Sequence, residues 1–359
     1  MRPSPSRLAA LALVALALAC GGKKSPPTPP LTWTWVPIAG SVCNDGSPTG
    51  IGIEASPTPG ADVIVFLDGG GACWDYLSCY TLHTATTGPF GKDQLDARVK
   101  SVAGTIFDRA APGNPYKDYT FVFVPYCTGD VHSGDKTQTY IPATVEWHHA
   151  GRVNVANAFQ YLGAQLEPPA KVVVSGSSAG GFGSLLAFTK AKATWPAAKA
   201  YLVDDSGPPL ANIPSATVSD WVSSWGLDVA ISQVCGTPCA GSPPSLAPII
   251  PELAKANPSD RFALLSSDQD QTIRGFFVDA ANYYQPMSAA DFLSGLQALV
   301  SSMDAAPTAN AHAFVVSGTS HTMLGNPAAF TSAGTALFDW LSKEVSDDPS
   351  WSSATPTPF

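Results

Sequence analysis

Short runs of β-branched, aromatic and aliphatic residues alternate along this chain with longer stretches in which apolar residues recur at helical spacing. A run that is apolar on both faces is typical of a strand in a parallel sheet that helices cover on both sides. The alternation therefore predicts an α/β fold with a doubly wound, mostly parallel sheet and right-handed crossovers. The predicted strands cover residues 63–67, 120–124, 171–174, 200–203, 262–265 and 313–316, and the predicted helices cover residues 151–166, 180–194, 288–303 and 327–343.

These elements lie in one body, residues 33–345, because no internal repeat or linker-like stretch divides it. Residues 208–258 interrupt the alternation and are rich in Pro, Ser and Trp, which favours a cap-like insertion beside the site. Residues 346–359 have the polar, Pro-containing composition of a chain end, and we expect a disordered tail there.

The balance of charge argues against one class of partner. The chain carries 28 acidic and 19 basic residues and a formal net charge of −9, and no run of Lys or Arg extends beyond the pair Lys23-Lys24. Proteins that bind phosphate backbones present clusters of basic residues. We therefore expect no nucleic-acid partner.

Residues 1–20 have the organisation of an export signal. A basic start precedes an apolar run, residues 8–19, which is shorter than the roughly 20 residues that a membrane-spanning helix needs. Cys20 follows directly, as in a bacterial lipoprotein signal, so we expect Cys20 to carry a lipid; ordinary secretion with cleavage nearby is the alternative. Residues 21–32 form a Pro-rich linker. The protein is thus expected to be exported, and to meet a membrane only through its N-terminal anchor.

The cysteines indicate an oxidising compartment. Of the seven, six follow Cys20, an even number that suggests three disulfides in an exported protein. A zinc site would require closer CxxC spacing and a reducing compartment, so we expect no metal. Short loops favour two of the pairs, and the third follows by exclusion. The predicted pairs are Cys73 with Cys79, Cys235 with Cys239, and Cys43 with Cys127.

A G-x-S-x-G sequence stands between a predicted strand and a predicted helix, with Ser178 at its centre and Gly176 and Gly180 on either side. Small residues allow the sharp turn that exposes a nucleophilic serine above a sheet edge and a helix N-terminus. The sequence therefore predicts that Ser178 is a nucleophile. The alternative is a tight turn in which Ser178 serves as a helix cap.

A serine hydroxyl needs a base to remove its proton and an acid to orient that base. Asp268 and Asp270 follow one predicted strand, and His321 follows another, just past the carboxyl ends where α/β folds place their sites. For a serine nucleophile in this type of α/β fold, the expected order along the chain is Ser, then Asp or Glu, then His. We expect His321 to be the base, with one of the two aspartates as its partner.

An acyl transition state develops an oxyanion that needs backbone N–H donors. Ala179, directly after the serine, is expected to supply one donor, and the glycine-rich loop of residues 68–74 another. The same loop lacks the G-K-[ST] and G-x-G-x-x-G patterns of nucleotide-binding loops. We therefore expect no nucleotide cofactor.

The sequence resembles the pectin acetylesterase and Notum family of carboxylesterases. The motifs that carry the resemblance run in the family's order across nearly the whole body. They are Cys43-Asn44-Asp45-Gly46-Ser47-Pro48, Gly69-Gly70-Gly71-Ala72-Cys73-Trp74 with Cys79, Pro125-Tyr126-Cys127-Thr128-Gly129-Asp130 with Ser133-Gly134, Gly176-Ser177-Ser178-Ala179-Gly180-Gly181, Asp204-Asp205-Ser206-Gly207, Asp268-x-x-Gln271 and Gly318-x-x-His321.

The resemblance implies an α/β-hydrolase fold with a catalytic triad of Ser178, Asp268 and His321, Asp270 being the alternative acid. It implies oxyanion donors at Gly70, Gly71 and Ala179, although many relatives carry Trp at the position of Gly71. The activity that the resemblance implies requires neither a metal nor an organic cofactor. The disulfides of the family agree with the Cys43–Cys127 and Cys73–Cys79 pairs.

The expected activity is that of a serine carboxylesterase acting on O-acyl esters, with acetyl groups on a polysaccharide preferred on resemblance alone. Two alternatives stay open: an esterase for fatty-acyl groups, and a non-catalytic, carbohydrate-binding lipoprotein.

Overall fold

The computed structural model describes residues 32–279 and 285–359. The predicted export signal, the predicted lipidation site Cys20 and nearly all of the predicted linker lie outside these residues. The strands are β1 (Thr34–Val42), β2 (Pro48–Glu54), β3 (Val63–Leu67), β4 (Thr120–Val124), β5 (Lys136–Gln138), β6 (Trp147–His149), β7 (Lys171–Ser177), β8 (Lys199–Asp205), β9 (Arg261–Ser267), β10 (Val278–Asp279), β11 (Gln285–Pro286), β12 (Ala311–Val316), β13 (Thr331–Ser332) and β14 (Thr335–Ala336).

The helices surround the central sheet. They are α1 (Lys92–Val99), α2 (Gly151–Gln165), α3 (Ala179–Thr194), α4 (Ser215–Trp225), α5 (Leu227–Cys235), α6 (Ile249–Ala256), α7 (Gln271–Arg274), α8 (Ala289–Asp304) and α9 (Leu337–Val345). A π-helical turn at Leu77–Thr81 and 3₁₀ turns at Thr237–Cys239 and Pro327–Ala329 complete the helical elements of the described residues.

Eight strands of the described chain form one sheet in the order β1-β2-β4-β3-β7-β8-β9-β12. All pairings from β4 to β12 are parallel, and the side chains of β3 and β4 are buried along their whole length. Strands that are buried on both faces need helices on each side of the sheet. The predicted α/β fold with a mostly parallel sheet is therefore confirmed. The carboxyl ends of β3, β7, β8, β9 and β12 consequently meet at one edge of the sheet.

The antiparallel strands β1 and β2 at the other end of the sheet were not predicted from sequence. β1 contains Pro37 and β2 contains Gly50 and Gly52, residue types that weaken a strand pattern. A Cβ at Gly50 would overlap the backbone carbonyl of Val36, so the close approach of the two strands requires glycine there. β1 keeps one side partly exposed, as an edge strand does.

The segment 208–258 contains the helices α4, α5 and α6, and several of its residues line one cavity together with Ser178. Its apolar residues join the same core as the sheet. The indole rings of Trp221 and Trp225 stack at 5.4 Å, and Trp225 donates a hydrogen bond from Nε1 to the carbonyl oxygen of Cys73 at 2.9 Å. We call residues 208–258 the cap.

Two predictions for the C-terminal region were wrong. The helix predicted over 327–343 begins only at Leu337, because residues 327–336 form a 3₁₀ turn and the short hairpin of β13 and β14. The predicted disordered tail, 346–359, packs on the sheet instead. Ala354 exchanges backbone hydrogen bonds with β12, and Trp351 is buried against Trp340 at 5.2 Å.

The three predicted disulfides are confirmed: Cys43–Cys127, Cys73–Cys79 and Cys235–Cys239. The first links the β1–β2 region to the segment after β4, and the second closes the loop after β3. The third lies in the cap, at the end of α5. No helix in the described ranges is long and apolar enough to cross a membrane.

Candidate active site

Ser178 lies in the sharp turn between β7 and α3. Its backbone has φ 60° and ψ −120°, a conformation that is costly for a residue with a side chain. A Cβ at Gly180 would overlap the carbonyl oxygen of Leu67, so only glycine allows β3 and the turn to lie this close. The turn holds Ser178 above the sheet edge at the N-terminus of α3, as the sequence predicted.

The alternative in which Ser178 merely caps α3 does not fit the structure. Ser178 occupies the cap position, but its side chain makes no capping hydrogen bond. Its backbone N–H donates to the carbonyl oxygen of Asp205 at 2.7 Å instead. The side chain of Ser178 therefore does not cap α3.

His321 follows β12 and lies at the same edge of the sheet. Its Nδ1 atom is 2.8 Å from Oδ2 of Asp270, whose side chain is fully buried. The second oxygen of Asp270 accepts hydrogen bonds from the backbone N–H groups of Thr272 and Ile273, at 2.9 and 3.0 Å. Because both oxygens are occupied, the carboxylate is fixed in place, and it in turn orients the imidazole ring.

The prediction that Asp268 is the partner of His321 was wrong, because Asp270 and not Asp268 contacts the imidazole ring. Oδ1 of Asp268 accepts a hydrogen bond from the backbone N–H of Gly318 at 2.9 Å. The backbone N–H of Asp268 itself bonds to Val316, which prolongs the pairing of β9 with β12 and keeps the side chain in the direction set by the strand. Asp270 lies past the end of that pairing, as the N-cap of α7, and points inward.

We call residues 176–180 the nucleophile turn and residues 317–324 the His321 loop. The two are linked through a shared hydrogen-bond partner, although no hydrogen bond joins the Ser178 hydroxyl to the His321 ring among the described contacts. Asp205, the last residue of β8, connects the two loops. Its backbone carbonyl accepts from Ser178, and its carboxylate accepts from Met323 and Leu324, just after His321. Sequence reasoning identified Asp205 only as part of a family motif.

The glycine-rich loop after β3 packs directly on the nucleophile turn. A Cβ at Gly69 would lie 3.1 Å from Cβ of Ser178, and Gly71 borders the same cavity as Ser178 and Ala179. Gly70 precedes Gly71, and its carbonyl oxygen accepts from the N–H of Thr86 at 2.6 Å. Of the residues predicted as oxyanion donors, Gly71 and Ala179 thus border the same cavity as Ser178.

The backbone of Gly71 has φ +74°, and a Cβ there would overlap the carbonyl of Thr84 and come within 3.1 Å of the Phe276 ring. A large side chain such as the Trp of many relatives does not fit this conformation. Phe276 borders the cavity at this point and provides an aromatic wall.

A buried histidine supports the glycine-rich loop from beneath. Burial lowers the pKa of His132 to about 4, so the ring is neutral at pH 7. Its Nε2 lies 2.9 Å from the carbonyl oxygen of Asp68, to which a neutral ring can donate. The Asp68 side chain forms an ion pair with Arg98, while burial raises its pKa. Both contacts fix the start of the loop.

An apolar cavity opens beside Ser178. Its walls come from the glycine-rich loop, α3, the cap and the segment after α7, and Ser178 supplies the one hydroxyl among them. The lining residues are Gly71, Ala72, Val131, Ser178, Ala179, Phe182, Leu185, Leu186, Trp221, Leu227, Ile231, Leu246, Ile249, Ile273, Phe276 and Phe277. No group of three or more His, Cys, Asp or Glu side chains suited to a metal ion occurs in residues 32–279 and 285–359.

Comparison with known proteins places the chain among esterases. The pectinacetylesterase family matches residues 30–224, a stretch that includes the nucleophile turn and the glycine-rich loop. The palmitoleoyl-protein carboxylesterases Notum of Drosophila melanogaster and Homo sapiens are each 30% identical to the chain, over 159 and 146 residues. These matches cover 40% of this chain but only 22% and 28% of the relatives' own lengths.

Solved structures extend the similarity to almost the whole chain. The Wnt deacylase Notum from Drosophila superposes with a TM-score of 0.67 at 19% sequence identity, covering 91% of this chain and 96% of the other. A second crystal form of the same deacylase gives a TM-score of 0.62. The fold is that of the α/β-hydrolases, and the chain belongs to the pectinacetylesterase family.

Proposed function

We propose that this protein is a serine carboxylesterase whose catalytic triad is Ser178, His321 and Asp270. The observation that carries the proposal is the 2.8 Å contact between His321 and the buried Asp270, at the sheet edge where the strained turn presents Ser178. Membership of a family named for ester hydrolysis supports the same reaction class.

In this mechanism His321 Nε2 removes the proton of the Ser178 hydroxyl as the serine oxygen attacks the ester carbonyl. His321 then returns the proton to the leaving alcohol, and an acyl-enzyme forms. Water, deprotonated by the same imidazole, releases the acid and restores the serine. Asp270 accepts the hydrogen of Nδ1, so that Nε2 is free to act as the base.

The backbone N–H groups of Ala179, Gly70 and Gly71 are the proposed oxyanion donors. Ala179 opens α3, so its N–H lies among the first N–H groups of the helix, which have no partner within the helix. Gly71 borders the cavity on the other side of Ser178. Donors fixed by the fold stabilise the developing charge without reorganisation.

The lining of the cavity favours an acyl group longer than acetyl. An acetyl group would leave most of the apolar wall in contact with water, whereas each additional buried methylene contributes about 0.8 kcal/mol, or about four-fold in affinity. The names of the Notum relatives, palmitoleoyl-protein carboxylesterases, agree with a long acyl chain. The observation thus favours the fatty-acyl alternative over the acetyl group expected from sequence.

Acetyl esters of a polysaccharide are the second candidate, favoured by the name of the family. A series of p-nitrophenyl esters from acetyl to palmitoyl separates the two. We expect kcat/KM to rise by at least about 100-fold between acetyl and octanoyl, because six further methylenes enter the cavity. A maximum at acetyl would instead support the polysaccharide deacetylase.

Two cap substitutions on the same helix provide a matched test of the cavity. Ile231→Phe enlarges a lining residue of α5 and should shift the preferred acyl chain to a shorter length. Val229→Phe changes an exposed residue of α5 and should leave the chain-length profile as it is. Equal profiles for both variants would show that the acyl chain binds elsewhere.

Ser178→Ala tests the nucleophile with the best ester of the series. Turnover should fall by about 10⁴-fold or more, by precedent with other triads. Retention of a tenth of the activity would remove Ser178 from its role. Absence of turnover by the folded wild-type protein on every ester would support a non-catalytic, carbohydrate-binding lipoprotein.

We further propose that the protein is exported and held at a membrane by a lipid on Cys20. The three disulfides support the oxidising compartment. Mass spectrometry of the N-terminal peptide from membranes tests the anchor, and Cys20→Ser should release the protein into the soluble fraction. Release of the wild-type protein to the same extent would favour ordinary secretion.

A further inference from the structure

The segment Asp204-Asp205-Ser206-Gly207 closes β8 at the same sheet edge as the candidate triad. Both aspartates are fully buried, which is unusual for carboxyl groups unless they bind a specific partner. The two side chains lie on opposite faces of the strand, since successive residues alternate. They therefore have different surroundings, although they are neighbours in sequence.

The carboxylate of Asp205 binds the loop that carries His321. The N–H of Met323 donates to both carboxylate oxygens, at 2.9 and 3.0 Å, and the N–H of Leu324 donates to Oδ2 at 3.0 Å. Thr322, between these residues and His321, has φ +63°, so the chain reverses direction here. Successive N–H groups converge on the carboxylate and form an anion-binding nest.

Asp205 binds the nucleophile turn as well. The hydroxyl of Ser177 donates to Oδ2 at 2.7 Å, and the N–H of Ser178 donates to the backbone carbonyl of Asp205, also at 2.7 Å. One residue thus holds the chain next to the nucleophile and the chain next to the base. No other residue among the described hydrogen bonds contacts both loops in this way.

The neighbouring serine strengthens the connection. Ser206 has φ +66°, which turns its hydroxyl toward the His321 loop, where it accepts from the N–H of Thr322 at 3.3 Å and donates to Oδ1 of Asp205 at 3.2 Å. The three N–H groups that follow His321 are therefore all bound by the segment at the end of β8. Without the carboxylate, two of them would be buried with no acceptor.

We propose that Asp205 is a positioning residue that sets the distance between the base and the nucleophile, an inference that rests on the function proposed above. Asp270 orients the imidazole ring from one side by contacting Nδ1, while Asp205 fixes the backbone on which that ring is carried. Catalysis is sensitive to such placement, because an error of about 1 Å can cost about 100-fold in rate.

Asp205→Asn is the decisive variant. An amide has one acceptor oxygen and an NH₂ group, so it cannot accept from Ser177, Met323 and Leu324 at once. We expect kcat for the best ester to fall by about 10- to 100-fold, with KM changed by less than about two-fold, because the acyl cavity is untouched. A folded variant whose kcat lies within about two-fold of wild type would overturn the inference.

Asp204→Asn provides the matched control. Oδ1 of Asp204 accepts from the N–H of Gly207 at 2.8 Å, and Oδ2 has no hydrogen-bond partner among the described residues. Burial raises the pKa of Asp204 well above its usual range. An amide has nearly the same size and shape as the carboxyl group, and its oxygen can accept the same hydrogen bond from Gly207. We expect wild-type kcat and KM, and a loss as large as that of Asp205→Asn would also contradict a specific role for Asp205.

A second variant keeps the test valid if Asp205→Asn does not fold. Ser177→Ala removes one donor to the Asp205 carboxylate and leaves the two N–H donors of the His321 loop in place. We expect a loss of about five-fold in kcat without a change in KM, corresponding to one hydrogen bond. Unchanged kcat in Ser177→Ala would then overturn the inference.

The result for Ser178→Ala distinguishes the two levels of failure. If Ser178→Ala keeps its turnover, the proposed function itself fails. If Ser178→Ala is inactive and Asp205→Asn is folded and fully active, only the positioning role of Asp205 fails.

Discussion

Replacement of Asp270 by Asn should abolish nearly all activity while the fold is kept. The amide oxygen can still accept the N–H groups of Thr272 and Ile273, so the cap of α7 survives. The amide NH₂ then faces Nδ1 of His321, where the carboxylate oxygen lay at 2.8 Å. Since an NH₂ group only donates there, the ring must place its own hydrogen on Nε2.

The magnitude follows from this change of tautomer. With hydrogen on Nε2, the ring cannot accept the proton of the Ser178 hydroxyl, and the precedent for the equivalent change in a serine protease is a loss of about 10⁴-fold in kcat. The cost in stability is smaller. A hydrogen bond to a charged group contributes about 1.5 to 3 kcal/mol, so the free energy of unfolding should fall by no more than that.

The assay compares Asp270→Asn with Asp268→Asn on the best p-nitrophenyl ester, with melting temperatures measured in parallel. Among the described contacts, the side chain of Asp268 accepts from the N–H of Gly318, to which an amide oxygen can also bind. We expect Asp268→Asn to stay within about three-fold of wild type, since no group at the reacting atoms changes. A severe loss in Asp268→Asn with near-normal activity in Asp270→Asn would refute the assignment of the acid.

Three further predictions concern stability and the loop beside the serine. Burial lowers the pKa of His132 to about 4 and that of His149 to about 3, below the usual 6.5, so both rings are neutral in the folded protein and take up protons on unfolding. Their contribution to the free energy of unfolding is therefore present above pH 6.5 and should be lost as the pH falls through about 4. Thermal unfolding at successive pH values measures this loss. Replacing Cys43 and Cys127 together by Ala should lower the free energy of unfolding in urea by about 4 kcal/mol, because the closed loop spans a sequence separation of 84 residues. Gly69→Ala should reduce kcat by about 100-fold, because the new methyl would lie 3.1 Å from Cβ of the serine and overlap the backbone before it.

Each of these has a contradicting outcome. A melting temperature that is constant from pH 7 to pH 4 would show that the two histidines are not buried in neutral form. A double Cys→Ala variant as stable as wild type would show that the disulfide does not restrict the unfolded chain. Full activity in Gly69→Ala would mean that the glycine-rich loop does not pack against the nucleophile turn.

The central part of the fold could be predicted because its strands have an unambiguous pattern. β3 is a continuous apolar run, β4 is one after its first residue, and β7 contains the run Val172-Val173-Val174. Short runs of this kind are typical of a central strand that is buried on both faces. The antiparallel strands β1 and β2 could not be found in this way, since half of β1 faces solvent and both strands contain Gly and Pro.

The C-terminal errors have a different physical cause. Asn326 followed by Pro327 is a good start signal for a helix, yet it opens only a 3₁₀ turn. The tail was predicted to be disordered from its polar composition. In the structure, Trp351 packs on Trp340 and on the guanidinium of Arg261, and Ala354 exchanges backbone hydrogen bonds with β12. The average composition of residues 346–359 does not show that individual residues within them can pack on the sheet.

At the site, sequence order located Ser178 and His321 but could not choose between Asp268 and Asp270. Both lie in one loop, and the choice depends on which side chain continues the strand and which turns inward. A signal was present: Asp270 precedes the helical residues Gln271–Arg274 and is a good N-cap, which fixes its direction. The role of Asp205 depends on backbone N–H groups of a distant loop, which no spacing in the sequence reveals.

The most direct test of the proposed activity is covalent labelling of the folded wild-type protein with a fluorophosphonate, followed by peptide mapping. Only a serine that is activated by a base reacts at neutral pH. We expect one modified residue, Ser178, with no labelling of Ser178→Ala and strongly slowed labelling of Asp270→Asn. Labelling at another serine, or no labelling of the folded protein, would contradict it.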